Sequence, residues 1–330
     1  MRIHWKLKAH TLAVLSRVPA GRRVYHRLQR LGRTTNLAVD ESLRRSFEVI
    51  ALARDAGMDP AAGGTWLEVG TGWRPFLPFI LYLLGAERVI TLDVNPWLTA
   101  RYAFETFVAL EGQLDRLAAE MGTSAGAVRI RYHTARCRAT RLPELLRVCN
   151  IEYRCPGDAG ATGLADGSVD VVCSSNVLEH IPPSELDRIH RESLRILRDG
   201  GLVVHRFNPA DHFSHFDSRI TSANFLRYSA RQWRWYGGTG LAYHNRLRCC
   251  EHEQLFRQAG FAIDVSRVRM DQKALEAIAS GTLRVHPDFA GFLAEELAAD
   301  YMWIVGAKAA APRPVARPAM AQGCPAGSAL

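Results

Sequence analysis

Two short segments of this sequence carry residues whose types and spacing suit a nucleoside ligand. The first holds Glu68, Gly70, Thr71 and Gly72 in the stretch EVGTG, which ends an apolar run, and the second holds Asp93. Glycines at a turn let the backbone approach a ligand and leave amide donors pointing outward at a helix N-terminus, which favours an anionic group. A carboxylate about twenty residues later, at the end of the next strand, can accept both hydroxyls of a ribose. Together these residues predict a nucleoside site.

The residues around this turn argue against a nicotinamide dinucleotide as the ligand. The dinucleotide fingerprint needs glycine or alanine three residues after its second glycine, and here that position is Pro75. A further acid, Asp158, follows a third apolar run and precedes Ala159, where it can meet the amino group of an adenine. Asn176 and Val177 follow a fourth run in the same way. This arrangement favours another adenosine-bearing cofactor.

These segments resemble class I S-adenosylmethionine-dependent methyltransferases of the small-molecule type. The most specific match is LADGSVDVVCSSNVLEHIP, from Leu164 to Pro182, and the resemblance extends over about residues 64–206. It implies S-adenosylmethionine as the cofactor. The turn and the resemblance together give as cofactor-binding candidates Glu68, Gly70, Thr71, Gly72, Asp93, Asp158, Ala159, Asn176 and Val177. One departure is Arg74, which stands where these enzymes often have a third glycine and either stiffens the loop or meets the cofactor's carboxylate.

The resemblance also implies in-line transfer of a methyl group to a nucleophile, and a hydroxyl nucleophile needs a base. Asp211, His212 and His215 are the candidate catalytic residues, because they follow the fifth apolar run at the end of the sheet where α/β proteins bind ligands. His212 or Asp211 is the general base in this interpretation, since a histidine pKa of about 6.5 suits that role. Two alternatives stay open: His212, His215 and Asp217 bind a divalent metal that orients vicinal hydroxyls, or these side chains only shape the pocket. No metal is assigned, and His180 is interpreted as a brace for the turn after the fourth run.

The elements that must position these residues alternate between short apolar runs and longer amphipathic stretches. This alternation predicts an α/β fold with a Rossmann-like, doubly wound sheet that is mostly parallel and ends in a C-terminal antiparallel hairpin. Helices are predicted at 77–84, 97–110 and 251–259 and between the fourth and fifth strands. The predicted strands span residues 65–69, 88–92, 151–154, 169–174, 201–206, 261–267 and 301–307.

Composition divides the chain into three parts. Residues 1–60 are predicted to form a basic helical extension, and residues 61–308 a methyltransferase domain with an acceptor lid at about 207–250. Residues 309–330 are rich in alanine and proline, which predicts a disordered tail. The lid is rich in aromatic residues and histidine, which suits either a sugar or flat-ring acceptor or an ordinary cover over the pocket.

The formal net charge of +9 is carried by the first 39 residues, which hold nine lysines and arginines and no acid. The neutral remainder argues against a nucleic-acid ligand, and the sequence also lacks the Asn/Asp-Pro-Pro-Tyr/Phe segment after the fourth strand. The basic helices either pack on the following domain or bring residues 1–35 to an anionic membrane surface.

Length and composition predict a soluble, globular protein. Of the 330 residues, 48% are hydrophobic and 23% are charged, and no apolar run reaches the roughly 20 residues of a spanning helix. Seven cysteines without a CxxC pair favour neither a zinc module nor a disulfide framework. Because residues 1–18 also lack the pattern of a secretory signal, we expect a cytoplasmic protein, with peripheral association at the inner face of the membrane as an option.

The functional prediction is methyl transfer from S-adenosylmethionine to a small-molecule acceptor, with no nucleic acid as partner. A hydroxyl of a sugar or glycan precursor is favoured, because the order of the lid motifs and the basic arm are similar to methyltransferases of bacterial glycan and polysaccharide assembly. One alternative is methylation of another secondary metabolite at oxygen, nitrogen or carbon. The other is a non-catalytic S-adenosylmethionine-binding scaffold or regulator.

Overall fold

The computed structural model describes residues 4–21, 24, 25, 27, 37–241 and 243–309. Seven strands in this part of the chain form one sheet in the order β3-β2-β1-β4-β5-β7-β6. The strands are β1 (Thr65–Val69), β2 (Arg88–Leu92), β3 (Ile151–Arg154), β4 (Val169–Ser175), β5 (Leu197–Phe207), β6 (Phe261–Met270) and β7 (Ala299–Lys308). Strands β1 to β5 are parallel, whereas β7 runs antiparallel to both β5 and β6. The predicted α/β fold, with a mostly parallel doubly wound sheet and an antiparallel C-terminal hairpin, is confirmed.

Both faces of the sheet are covered, which explains why its strands are continuously apolar rather than alternating. Successive side chains of a strand point to opposite faces, so Trp66 and Val171 pack in one core cluster and Leu67 and Val172 in another. Each cluster is completed by helices, and this two-sided burial fixes the positions of the strand ends that carry the polar candidates.

The helices lie mostly on the two faces of the sheet. They are α1 (Trp5–Arg17), α2 (Val39–Asp55), α3 (Phe76–Leu84), α4 (Ala100–Ala109), α5 (Leu114–Glu120), α6 (Ala125–Arg138), α7 (Leu142–Val148), α8 (Pro183–Ile196), α9 (Ala230–Tyr236), α10 (Cys249–Ala259), α11 (Gln272–Ala279) and α12 (Ala294–Leu297). Helix α3 buries eight of its nine residues, as expected for a helix that is apolar on every side. None of the described helices is long and apolar enough to cross a membrane.

Helix α2 belongs to the main core although it precedes the predicted domain boundary at residue 60. Its residues Leu43, Val49 and Ile50 are fully buried in the same cluster as α3 and strand β1. Residues 1–3, 22, 23, 26 and 28–36 of the predicted basic extension lie outside the described residues, as do residues 310–330 of the predicted disordered tail.

Three stretches that are distant in sequence form a structure that we call the cap, namely α1 and residues 208–248 and 271–298. They share a third apolar cluster, in which Trp5 of α1 packs against Phe213 and Trp233. The two later stretches follow the ends of β5 and β6, and Met302 of β7 pairs with Phe207 at the same edge. The cap therefore lies at the edge where the parallel strands end.

Candidate functional site

A cleft of about 1100 Å³ opens where β1, β2 and β4 end, at the point where the strand order reverses. Ligands of open α/β sheets bind at such a crevice. The cleft is lined by all nine predicted cofactor-binding residues, which are Glu68, Gly70, Thr71, Gly72, Asp93, Asp158, Ala159, Asn176 and Val177. The three candidate catalytic residues, Asp211, His212 and His215, are not among its lining residues.

Gly70 is required by the way the loop after β1 packs. Its φ is +89°, and a Cβ atom at this position would lie 2.5 Å from Cγ2 of Val177. Any side chain there would therefore collide with the segment that follows β4. The loop after β1 and the segment after β4 are therefore in close contact where both line the cleft.

The amide groups of the loop bind the end of strand β2. The Gly70 and Thr71 amides donate to the Leu92 carbonyl oxygen at 2.7 and 3.2 Å, and the Gly72 amide donates to Oδ2 of Asp93 at 2.9 Å. The prediction that these amides face an anionic ligand is therefore wrong. They hold the loop against the neighbouring strand instead.

Asp93 presents a constrained carboxylate to the cleft. Besides the Gly72 amide on Oδ2, its Oδ1 accepts a hydrogen bond from the Asn95 amide at 2.8 Å. Burial raises the pKa of Asp93 above its ordinary value, and the two backbone amides oppose that shift by favouring the charged form. Each carboxylate oxygen has a second lone pair, so the group can accept from a pair of hydroxyls. Val94 beside it is 70% exposed and offers an apolar surface next to the carboxylate.

Glu68 lies beneath the loop in a chain of hydroxyl contacts. Thr91 donates from Oγ1 to Oε2 of Glu68 at 2.6 Å, and the Oγ1 atoms of Thr71 and Thr91 are 2.5 Å apart. Burial raises the pKa of Glu68 to about 8, which keeps the carboxyl protonated near neutral pH. Glu68 thus joins the loop to the two central strands as well as lining the cleft.

Asp158 stands at the rim of the cleft and is paired with Arg188. The two guanidinium nitrogens Nη1 and Nη2 donate to its carboxylate oxygens at 2.8 and 3.0 Å. This pairing is the main reason that the pKa of Asp158 lies below its ordinary value. An adenine amino group would therefore meet a charged carboxylate whose orientation Arg188 fixes.

Asn176 is held in a left-handed conformation, with φ of 57°, by residues that the sequence analysis missed. Nη1 of Arg206 donates to Oδ1 of Asn176 at 3.2 Å and to Oγ of Ser175 at 2.9 Å, and the Tyr301 hydroxyl also donates to Asn176. The Arg206 guanidinium is 1% exposed and its Nε donates to Oε2 of Glu48 at 2.9 Å. The signal in the sequence was an arginine, preceded by His205, within the mainly apolar stretch GLVVHRF.

Arg74 stiffens the loop, which is the first of the two roles that the sequence left open, and keeps one donor for the second. Its Nη2 lies 3.0 Å from Oε2 of Glu105, and its guanidinium lies over the ring of Tyr102, so the side chain stiffens the loop. Its Nη1 is buried and has no hydrogen-bond partner in the described part of the chain. A guanidinium N–H without a partner in the wall of the cleft suits the carboxylate of an amino-acid ligand.

The carboxylates of the acidic candidates in the cap already bind other groups of the cap. Asp211 is fully buried; its Oδ1 accepts from the Phe213 amide and its Oδ2 from Nδ2 of Asn224, both at 2.8 Å. Burial raises the pKa of Asp211 to about 7, but the group has no contact with the cleft. Asp217 accepts from the Trp5 amide at 3.0 Å and pairs with Arg219. The structure therefore brings neither carboxylate to the cleft.

The histidines are split between the cleft and the cap. His180 is exposed and lines the cleft, and its Nδ1 lies 3.0 Å from the Tyr243 carbonyl oxygen. His212 lies behind it, with ring centroids 4.9 Å apart, and burial lowers the pKa of His212 to about 2. His215 stacks on the far side of His212 at 5.4 Å. His180, read from the sequence as a brace, is thus the histidine that a ligand in the cleft can reach.

Glu179, which precedes His180, was not predicted as a site residue. It is 1% exposed, and its Oε1 accepts from the Asn208 amide at 3.3 Å. Its Oε2 is buried without a hydrogen-bond partner in the described structure. Glu179, His180 and His212 each offer one ligand atom, and these atoms lie within 4.8 Å of one another.

Comparison with known protein families finds a match to part of this chain. Residues 109–205 match the family described as "Methyltransferase domain". The matched segment begins after Asp93 and contains β3, β4, α8 and most of β5, so it includes Asp158 and Asn176 but not the glycine-rich loop. No curated protein matches the sequence.

Several solved structures are similar to the chain at low identity. An S-adenosylmethionine-dependent methyltransferase from Mesorhizobium loti is 17% identical, with a TM-score of 0.40, over 78% of this chain and 96% of that one. A similar enzyme from Methanosarcina mazei is 18% identical, with a TM-score of 0.40, over 76% and 94%. Phosphoethanolamine N-methyltransferase 2 of Haemonchus contortus, in complex with S-adenosyl-L-methionine, is 15% identical, with a TM-score of 0.42, over 81% and 52%. At these scores the likenesses assign neither an acceptor nor a site residue to this chain.

The family match confirms that the chain is an enzyme of methyl transfer whose cofactor is S-adenosylmethionine. Two features of the cleft fit this cofactor. The exposed Val94 lies beside the Asp93 carboxylate, and Nη1 of Arg74 has no hydrogen-bond partner among the described residues.

Proposed function

We propose that this methyltransferase acts on a hydroxyl group of a small polyhydroxylated acceptor, such as a sugar or glycan precursor. The observation that carries the proposal is the composition of the cleft beyond the cofactor candidates. Tyr243 of the cap lines it together with Ser42, Arg45 and Ser46 of α2 and with His180. An aromatic side chain among several hydrogen-bonding groups suits a ligand with many hydroxyls.

The cofactor half of the cleft is assigned from the same residues that the sequence picked out. Asp93 would accept the ribose hydroxyls, Asp158 and Ala159 would bind the adenine, and Nη1 of Arg74 would bind the carboxylate. S-adenosylmethionine supplies an activated methyl group on its sulfonium sulfur. The chain's contribution is to hold the acceptor oxygen at attack distance, which by itself accounts for a large part of the rate enhancement of such reactions.

The proposal is tested with isotopically labelled donor and a panel of sugars, nucleotide sugars and non-sugar metabolites, followed by mass spectrometry. We expect label on an oxygen of a sugar-containing acceptor. Label confined to a non-sugar metabolite, or to nitrogen or carbon, would replace the proposed acceptor class. Donor binding without transfer to any member of the panel or of a cell extract would favour a scaffold instead.

A matched pair of variants ties the activity to the cleft. Asp93→Asn keeps the shape of the side chain but loses the negative charge and one acceptor oxygen, and we expect at least about tenfold weaker binding of the donor, equivalent to about 1.4 kcal/mol. Asp166→Asn is the control, because Asp166 is an exposed carboxylate paired with Arg195 outside the cleft. Equal affinities of the two variants in calorimetry would reject the assignment of Asp93.

We further infer that the outer face of α1 binds an anionic membrane surface. Leu7 and Val14 are 62% and 59% exposed and lie two turns apart on one face of α1, and Val18, which is 50% exposed, follows the helix as its C-cap. Trp235 of the cap is 60% exposed beside them, with the Arg17 guanidinium 5.2 Å from its ring centroid. An apolar stripe bordered by basic residues matches an interface of acyl chains and anionic head groups.

Co-sedimentation with vesicles of phosphatidylglycerol and phosphatidylcholine measures this contact. We expect wild-type protein to sediment with the anionic vesicles, and Val14→Glu to reduce the bound fraction several-fold by placing a charge in the stripe. Val108→Glu serves as the control, since Val108 is a similarly exposed valine on α4. Equal partitioning of the two variants, or no sedimentation of the wild type, would refute the membrane contact.

A further inference from the structure

We propose that Glu179, His180 and His212 form a binding site for a divalent transition-metal ion beside the acceptor part of the cleft. The site itself is argued from geometry alone, and only its role toward the acceptor rests on the proposed function. Two turns bring the three residues together, one at Leu178–His180 after β4 and one at His212–His215 in the cap.

The three ligand atoms are nearly close enough to share an ion. They lie within 4.8 Å of one another, and this is the one such group of histidine, cysteine and acidic side chains in the described residues. Ligands about 2.1 Å from an ion stand roughly 3.4 Å apart in tetrahedral geometry. An ion would therefore draw the ligand atoms together by up to about 1.4 Å.

Each imidazole has one ring nitrogen oriented by a backbone carbonyl, as metal-binding histidines commonly do. Nδ1 of His180 lies 3.0 Å from the Tyr243 carbonyl oxygen, and Nε2 of His212 lies 3.4 Å from the Asn208 carbonyl oxygen. These contacts assign the proton to Nδ1 of His180 and to Nε2 of His212. The lone pairs of Nε2 of His180 and Nδ1 of His212 then remain for an ion.

Glu179 supplies the independent observation that points to a ligand. Its side chain is 1% exposed and its Oε1 is fixed by the Asn208 amide, whereas Oε2 has no hydrogen-bond partner among the described groups. Buried polar atoms are normally satisfied, so an unpartnered carboxylate oxygen close to two imidazoles points to a cation as its partner.

The ligand set also fits the expected acceptor. Two imidazoles and one carboxylate suit ions of the series from manganese to zinc, and three protein ligands leave positions for a further ligand. Because His180 lines the cleft, two neighbouring hydroxyls of an acceptor can reach such an ion. A bound hydroxyl then releases its proton to water more readily, which supplies the activation that the buried Asp211 does not.

Metal content of the full-length protein tests the site without reference to activity. Protein treated with chelator is loaded separately with ZnCl₂, MnCl₂ and CoCl₂ and analysed by elemental mass spectrometry, and the cobalt form by visible absorption. We expect about one ion per chain for the preferred metal. We expect loss of that ion in His180→Gln and His212→Gln and retention in His215→Gln, a neighbouring histidine outside the group. Because His180 is exposed, His180→Gln remains informative where His212→Gln does not fold.

Failure of this site is distinguishable from failure of the proposed function. Asp93→Asn is expected to keep the ion and lose affinity for the methyl donor, and His180→Gln to do the reverse. Stoichiometric metal in a wild type that transfers no methyl group to hydroxyls would overturn the acceptor but leave the site. A wild type that binds none of the three ions, or a His180→Gln variant that binds them as well as the wild type, would overturn the site.

Discussion

At the scale of single residues, the structure divides the candidates by what their side chains already contact. The cofactor candidates lie at the ends of strands. The sequence was enough to predict that they lie close together, because parallel strands end at one edge of the sheet. Asp211 also follows a strand end, but its carboxylate is used within the cap. Sequence spacing could not distinguish these cases, because the partner Asn224 lies in a turn whose position depends on how the cap folds.

Gly70 gives the sharpest prediction at this scale. Gly70→Ala places a Cβ 2.5 Å from Val177 and forces alanine to a φ of +89°, which by conformation alone disfavours the native loop by about 1–2 kcal/mol. We expect a lower melting temperature and at least about tenfold weaker donor binding. Gly57→Ala is the matched control, since the φ of Gly57 is +91°, its Cβ would meet open space and it does not line the cleft. Equal effects of the two substitutions on donor binding would refute the role of the Val177 contact.

At the scale of elements, local apolar runs were enough to locate the sheet. Strands β1, β2 and β3 begin and end where the sequence predicts, whereas β5 starts at Leu197 instead of 201 and the helix predicted at 97–110 spans Ala100–Ala109, with Thr99 as its N-cap. Six helices were missed, namely α5, α6, α7, α9, α11 and α12. The last turns of α6 are basic and only three of its residues are buried, so it presents a weak apolar face to a search by periodicity.

Arg206 shows how one element positions another. It joins the end of β5 to Asn176 and to Glu48 of α2, a helix that the sequence analysis had assigned to an N-terminal extension. This three-way contact could not be predicted, because Glu48 lies 158 residues from Arg206 along the chain.

We expect Arg206→Met to destabilise the protein by about 1–3 kcal/mol, because it removes the hydrogen bonds of a buried guanidinium to Ser175, Asn176 and Glu48. Glu48 keeps its ion pair with Arg44 and its hydrogen bond from the indole of Trp303. Donor affinity should fall as well, since Asn176 loses its clamp. Tyr301→Phe removes one hydrogen bond to the same Asn176 oxygen and should cost only about 1 kcal/mol. Urea unfolding and calorimetry measure both quantities, and a smaller loss for Arg206→Met than for Tyr301→Phe would contradict this account.

At the scale of the whole molecule, the second face of the sheet buries three histidines that no ligand reaches. His190, His205 and His252 are at most 1% exposed and surround Phe256 and Phe207. Burial lowers the pKa of His190 to about 4 and of His252 to about 3, and holds the pKa of His205 well below its ordinary value. These rings are neutral in the folded protein and take up protons on unfolding, so their contribution to stability is complete above pH 6.5 and is lost as the pH falls toward the folded values.

Buried acids such as Glu68 have raised pKa values, so their contribution to stability changes with pH in the opposite direction. Substitution of a single histidine therefore isolates the effect of the histidines. Relative to wild type, His252→Phe should become progressively more stable as the pH is lowered from 6.5 to about 4, by up to roughly 1.4 kcal/mol per pH unit. Leu186→Ala, in the same cluster, should differ from wild type by a constant amount at every pH. Urea midpoints at several pH values compare the two, and a constant difference for His252→Phe would refute the prediction.

The placement of β7 bears on how the enzyme matures in the cell. Although β7 is the last of the seven strands along the chain, it lies between β5 and β6 and hydrogen-bonds to both. A nascent polypeptide on the ribosome therefore displays the unpaired border of β5, an aggregation-prone surface, until residues 299–308 emerge. Premature termination before Ala299 should yield a product removed by proteolysis, and catalysis should begin only after translation has passed this strand.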